Sequence, residues 1–381
     1  MSPPGMELDE RLALRGISRR EFLKFCASVT TALALPLKFT PRIEAALADA
    51  AKRPPVVWLE FQDCAGDSES FLRASRPSAA DVILDTISLD YHETIMAASG
   101  KQADAARKKT VDAGGHIVVV EGSIPTKDDG IYCCIGGRTA LDLLQEATAK
   151  ATAVIAVGSC AAFGGLPKVK PNPTGAVGVM DLVKNVPVIN LSGCPMNVVN
   201  FTATVVHLLT FGKPPALDKL GRPLFAHGQI IHNNCERRGH FNAGEFVMAW
   251  GDEGHRKGWC LYKMGCKGPV ATFNCPTVRW NDGTNWPVGA GHGCIACAAP
   301  DFFERPIYET VPIQQASPPD FYPQVAKAVE NMSPAGAATI GAVGGLVVGA
   351  GAVGAVAAAR ARQNKDVVEP PAAPPAESSE G

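Results

Sequence analysis

The chain has 381 residues, 46% of them hydrophobic, with 36 Lys and Arg against 37 Asp and Glu. A net charge of −1 and the lack of any long basic block exclude a nucleic-acid surface as its organising feature, and the length allows one large or two smaller domains. The informative count is cysteine, of which there are twelve.

Residues 15–25 read RGISRREFLKF. Ser18-Arg19-Arg20-Glu21-Phe22-Leu23-Lys24 has the form of a twin-arginine export (Tat) signal, followed by a moderately apolar run to Leu35 and small-residue cleavage candidates around Ala46 to Ala50. Residues 1–50 are therefore expected to be a leader rather than part of the fold; a basic amphipathic helix is the plainer alternative. Disulfides are the default for an exported chain. The twin-arginine route carries proteins already folded, however, so cofactors can be inserted in the reducing cytoplasm and metal ligation becomes the leading use of the cysteines.

Residues 53–215 alternate β-rich apolar runs with helical patterns. VVWLEF (56–61), VILDTISL (82–89), HIVVVEG (116–122), AVIAVGS (153–159) and VPVINLSG (186–193) predict buried parallel strands, with helices near 69–75, 99–112, 138–149 and 197–210. The expected fold is α/β, a flavodoxin-like doubly wound parallel sheet, which binds ligands at the carboxyl ends of its strands near a switch in strand order. Cys64 in FQDCAGDSES follows the first strand, Cys160 in GSCAAFGG the fourth and Cys194 in SGCP the fifth. One such cysteine would be an ordinary buried thiol; three at equivalent strand ends fit the corners of an iron–sulfur cage.

From residue 216 to 315 the periodicity fades and Gly, Pro and Trp increase, so this segment needs something besides a hydrophobic core to order it. His232 and Cys235 in HNNC, with Cys260 and Cys266 in GWCLYKMGCKG, make a four-ligand set. Cys275 in NCP and the Cys294-Ile-Ala-Cys297 pair make a set of three. Structural zinc uses one imidazole and three thiolates equally well. Against zinc, the second set stops at three sulfurs, which suits a cluster lacking one iron, and three sites in one chain form the series that electron transfer uses.

Residues 316–336 read as a linker. Residues 337–359 carry no charge, are bounded by Arg360, Arg362 and Lys365, and are long enough for one membrane-spanning helix. The basic flank would stay in the cytoplasm, leaving the body on the periplasmic, outer face of the cell membrane. A Gly/Ala-rich linker is the alternative for the apolar run; residues 360–381 have the composition of a disordered tail.

WLEFQDC, SLDYHET, EGSIPTKDDG, KPNPTGAVGV, GCPMN, GRPLFAHGQIIHNNC, HFNAGEF, GWCLYKMGCKGP and GHGCIAC stand in this order over residues 53–312, and with them the chain resembles the small subunit of membrane-bound nickel–iron hydrogenases. The resemblance implies two 4Fe-4S clusters and one 3Fe-4S cluster. The proximal four-iron cluster would take Cys64, Asp67, Cys160 and Cys194. The medial three-iron cluster would take Cys275, Cys294 and Cys297, with Pro287 where a fourth cysteine would stand. The distal four-iron cluster would take His232, Cys235, Cys260 and Cys266. The nickel–iron centre would lie in a separate large subunit, so no catalytic residue is expected here, and the electrons of hydrogen oxidation would pass to a membrane acceptor such as a cytochrome b or another quinone-linked subunit.

Two departures from common members matter. Gly66 and Gly165 occupy the positions where an oxygen-tolerant branch has two additional cysteines, so the six-cysteine mechanism is not open to this chain. Asp67 stands where four-cysteine members have cysteine, which resembles the actinobacterial-type branch; the competing expectation is that Asp67 is only a helix N-cap. Cys133 and Cys134 match no ligand position and read as buried thiols. His92, His227 and His292 read as structural, His292 being the nearest of the three to a ligand set.

Overall fold

The computed structural model describes residues 18–49, 53–74, 87–281 and 283–304, with Leu8 and Leu12. The chain divides into two units, Met1–Tyr322 and Pro323–Gly381. The second unit, and with it the expected membrane helix and tail, lies outside the described residues, as does all of the expected linker. Among the described residues no helix is long and apolar enough to cross a membrane.

Five strands form the central sheet: β1 (Pro55–Glu60), β2 (Ser88–His92), β3 (Ile117–Glu121), β4 (Ala153–Val157) and β5 (Val188–Leu191). Their order is β2-β1-β3-β4-β5 and every pairing is parallel. This is the flavodoxin-like order, with its switch point between β1 and β3. β3, β4 and β5 are buried at every position because helices cover both faces, as in parallel sheets generally. The second strand begins at Ser88, later than the sequence pattern placed it, and residues 75–86 lie outside the description.

The helices around the sheet are α3 (Gly66–Leu72), α4 (Gly100–Ala113), α5 (Ala140–Thr148), α6 (Gly158–Phe163) and α7 (Val198–Phe211). Val57, Leu59, Val118, Val120 and Leu144 build the core on one face; Trp58, Phe71, Val119, Ile155 and Phe201 build it on the other. Beyond α7 the described residues form no further sheet and fold as short turns and helical segments about Leu261, Phe273, Trp286 and Val288, with Cys266, Cys275 and Cys294 among them. Two buried arginines staple these loops: Arg222 donates to the Ala298 carbonyl (3.1 Å) and Thr272 Oγ1 (3.0 Å), and Arg237 to the carbonyls of Val288 (3.1 Å) and Trp259 (2.8 Å).

One expectation meets a difference. Within the segment set aside as leader, α1 (Arg19–Ala32) and α2 (Thr40–Ala48) fold onto the body and bury Cys26, Val29 and Ile43 against Ala203 and Val206 of α7. The apolar run of the leader thus finds an apolar partner within the same chain.

Candidate metal centres

The first site forms at the carboxyl ends of β1, β4 and β5. Cys64 lies in the turn after β1, Cys160 inside α6 immediately after β4, and Cys194 three residues past β5. The loops after β4 and β5 are bound to each other: Ser159 N–H donates to the Gly193 carbonyl (2.7 Å) and Gly193 N–H to Ser159 Oγ (3.1 Å).

Helix α3 starts at Gly66, with Ala65 in the left-handed region (φ 55°) as its cap and no side-chain capping bond, so Asp67 is not the N-cap. The free amides of the first turn are satisfied instead by Glu121 at the end of β3. Glu121 accepts from Asp67 N–H (2.9 Å) and from Ser68 N–H (3.1 Å) and Oγ (2.5 Å), while Trp58 Nε1–H donates to it at 3.2 Å. Released from capping, the buried Asp67 carboxylate reaches across to the loop after β5 and accepts Met196 N–H at 2.5 Å. A side chain at Gly158 (φ +78°) would collide with Asp67 Oδ2, so glycine is required there.

Electrostatics groups the same four residues. Burial and then the charge of Glu121 push the Asp67 carboxyl well above its ordinary range. Burial pushes Cys160 up to about 11, with Asp67, Cys64 and Asp63 adding to it, and Cys194 up to about 12, with Cys297, Cys160, Asp67 and Cys64 adding to it. Around them lie two further acids, the exposed Asp63 and the half-buried Glu93, each raised to about 7, chiefly by desolvation of the carboxyl.

In the second half, burial raises Cys235 to about 11 and Cys260 to about 12, each with Cys266 nearby. His232, packed edge-on against Phe241, is lowered to about 4 by burial and by Arg238, so its imidazole is neutral and available as a ligand. Cys275, Cys294 and Cys297 are raised by burial, and Cys294 feels both Cys266 and the other two. Backbone amides point at these sulfurs: Arg237 N–H at Cys235 (3.4 Å), Cys294 N–H at Cys266 (3.2 Å) and Ala296 N–H at Cys294 (3.4 Å). Two neighbour relations join the groups into a series: Cys194 with Cys297, and Cys266 with Cys294.

The donor set fits iron–sulfur clusters better than single ions. All twelve cysteines are free of disulfides. Sulfurs around one tetrahedral zinc lie about 3.8 Å apart, given ~2.3 Å bonds. Among the described residues the one group of three donors mutually within 4.8 Å is Glu60, Asp63 and Glu121, so the thiol sets are more open than a single ion requires. A cavity of about 880 Å³ is lined by Cys194, Cys275, Cys294 and Cys297 together with Pro287 and Trp286, whose buried indole Nε1 has no partner. Buried thiols raised this far become thiolates only when a cationic group offsets the loss of hydration.

A family model described as the C-terminal part of the NiFe/NiFeSe hydrogenase small subunit matches residues 227–308, and one described as NADH ubiquinone oxidoreductase, 20 Kd subunit, matches residues 64–208. The periplasmic NiFe hydrogenase small subunit 1 of Nitratidesulfovibrio vulgaris is 50% identical over 307 residues, 79% of this chain and 96% of that protein. The chain belongs to the nickel–iron hydrogenase small subunits. The quinone-reactive Ni/Fe-hydrogenase small chain of Wolinella succinogenes is 46% identical over 77% of this small subunit and 85% of its own length. The solved actinobacterial-type NiFe-hydrogenase of Ralstonia eutropha H16 aligns with a TM-score of 0.62 at 28% identity, covering 69% of this chain and 83% of that one. As a family member the small subunit transfers electrons for a hydrogenase, contains iron–sulfur clusters and pairs with a large subunit that holds the active site.

Several features of the site were missed from sequence. Glu121 sits in EGSIP, read only as a strand end, and its role appears once β3 is placed beside β1. The loop residues Ser159, through its amide and hydroxyl, and Met196, through its amide, tie the site together. Of the remaining thiols, Cys133 is half-buried beside the sheet core, while Cys134 is exposed rather than buried and donates weakly to the Ile131 carbonyl (3.4 Å). His92 is satisfied by Ser68 and by the amides of Thr94 and Ile95. A cysteine at Gly165 (φ +53°) would collide with Cys160 Sγ, so this backbone has no room for the additional thiol of the six-cysteine arrangement.

Proposed function

We propose that this small subunit serves an uptake hydrogenase and carries electrons from the large subunit through three clusters in series to a quinone-linked membrane acceptor, such as a cytochrome b. In this reading Cys64, Asp67, Cys160 and Cys194 hold a proximal 4Fe-4S cluster. Cys275, Cys294 and Cys297 hold a medial 3Fe-4S cluster, and His232, Cys235, Cys260 and Cys266 hold a distal 4Fe-4S cluster. The observation that carries it is the linked order of the three donor sets, with Cys194 beside Cys297 and Cys294 beside Cys266. Bound clusters supply one-electron carriers whose potentials depend on cluster type, charge, hydrogen bonds to sulfur and exposure.

The chain's own residues set that environment. The amides of Arg237, Cys294 and Ala296 favour negative charge on the sulfurs they address. Asp67 offers a harder, oxygen donor of the same charge as a thiolate, oriented by Met196 N–H. The same reading makes residues 1–50 a twin-arginine leader and residues 337–359 an anchor that keeps the body on the periplasmic face. The names of the relatives from Nitratidesulfovibrio and Wolinella, periplasmic and quinone-reactive, support that location and acceptor.

The test is electron paramagnetic resonance during a redox titration of the two-subunit complex, wild type beside Asp67→Cys. A change confined to the signal and potential of the proximal cluster is expected. Identical titrations would remove Asp67 from the ligand set.

A further inference from the structure

Helix α7, VVNFTATVVHLLTF, is mostly apolar and buries residues 200–206 without a break, Asn200, Thr202 and Thr204 included, as a helix covered on more than one side does. Phe201 and Val205 pack on the sheet. Ala203 and Val206, on the other side, are covered by α1 and α2, whose Cys26 and Ile43 are each 0% exposed. The Thr30 and Thr40 hydroxyls, 3.1 Å apart, join α1 to α2. At the far end of α7, Phe211 meets Phe39 edge-on at 5.9 Å and the Arg42 guanidinium at 4.6 Å.

The near end of α7 is gripped by the loops that carry candidate ligands. Asn197, three residues after Cys194, caps the helix by accepting Val199 N–H (3.0 Å) and donates Nδ2–H to the Arg279 carbonyl (2.5 Å). The amides of Asn200 and Asn274 exchange two hydrogen bonds, 3.0 and 2.9 Å, and Asn274 directly precedes Cys275. One helix therefore touches the proximal and medial ligand loops at its start and the N-terminal hairpin along its outer face.

We propose that residues 19–48 are an intramolecular cap in the full-length chain, and that their seat on α7 forms only when the loops bearing Cys194 and Cys275 are in place. The consequence for export rests on the leader reading above: the exposed Arg19 and Arg20 are then presented from a docked hairpin on a finished body, whereas an undocked hairpin marks an unfinished one. Removal of the leader would uncover Ala203 and Val206.

Cys26 reports on this directly. In the full-length chain, co-expressed with its large subunit and recovered before processing, maleimide labelling of the Cys26 peptide is followed by mass spectrometry, natively and in urea. With clusters present, labelling is expected to be at least about tenfold slower than in urea, since it requires local opening. Iron removal by a chelator is expected to bring the rate close to the urea value. Ile43→Asp, which lies in the hairpin and leaves the sheet untouched, is expected to release Cys26 while visible cluster absorbance is retained; Val206→Asp tests the same contact from the body. Labelling of wild-type Cys26 at the urea rate in the loaded chain would overturn the proposal, as would protection that survives iron removal. Export is scored separately with Arg19→Lys/Arg20→Lys: if that variant is still exported, the leader reading fails while the docking result stands.

Discussion

The two halves of this small subunit position their donors by different means. Around the sheet, Cys64, Cys160 and Cys194 stand at the ends of strands held by a continuous ladder and two apolar cores. From Gly221 onward the donors stand in loops held by Arg222, Arg237 and a small cluster that already counts Cys266, Cys275 and Cys294 among its members. A sheet can position ligands before any metal arrives; loops with little regular hydrogen bonding depend on the metal for their order. The comparison predicts unequal responses to the same insult.

The largest expected effect follows iron removal. Hydrogen exchange of the complex after chelation should rise by orders of magnitude in residues 224–304, while the amides of β1, β3 and β4 stay protected. Equal loss in both halves would show that the sheet also depends on its cluster.

Next in size is Cys260→Ser against Cys160→Ser. Both remove a candidate ligand, Cys160 half-buried and Cys260 buried, but Cys260 belongs to the loop half. Its loss should lower the thermal midpoint of the small subunit far more, whereas Cys160→Ser should chiefly remove the proximal paramagnetic signal. Comparable midpoints for the two variants would erase the distinction.

Within the sheet half, Glu121→Ala tests whether a buried carboxylate is the true cap of α3. It would leave the amides of Asp67 and Ser68 and the Trp58 indole without their acceptor. A cost of about 1–3 kcal/mol for each buried group left unsatisfied is expected, read as a fall in thermal midpoint. Glu121→Gln, which keeps two acceptor lone pairs but no charge, should fall between. An unchanged midpoint for the alanine variant would mean that α3 is capped by water.

The sheet and its ligand-bearing ends were legible because β-branched runs separated by helical patterns admit few topologies, and the flavodoxin-like order brings three dispersed cysteines to one edge. The candidate donors of the second half were read from residue type alone, since loops have no period to read. What sequence hid was long-range. That Ala65 rather than Asp67 opens α3 depends on an acid 54 residues away. The docking of α1 and α2 on α7 was obscured because an apolar run behind two arginines reads as an address.

The smallest effect expected concerns His227. It stacks on Phe273 with ring centroids 4.5 Å apart, and its buried Nε2 has no partner. Burial, reinforced by Arg222, lowers it from 6.5 to about 3. A base with a depressed folded-state pKa binds its proton more readily in the unfolded chain, so the neutral ring contributes stability above pH 6.5 that is lost as pH falls from 6.5 toward 3. In the sheet half His92 is lowered by burial too, but the neighbouring Glu60 opposes the shift, so the acid sensitivity should lie more heavily on the loop half. His227→Phe keeps a ring against Phe273 and removes the titration. Thermal midpoints measured from pH 7 to pH 5 should fall less steeply in the variant than in wild type, with the difference confined to hydrogen exchange around residues 224–273. Parallel curves would mean that His227 takes up its proton alike in the folded and the unfolded chain, with Nε2 finding an acceptor in the fold.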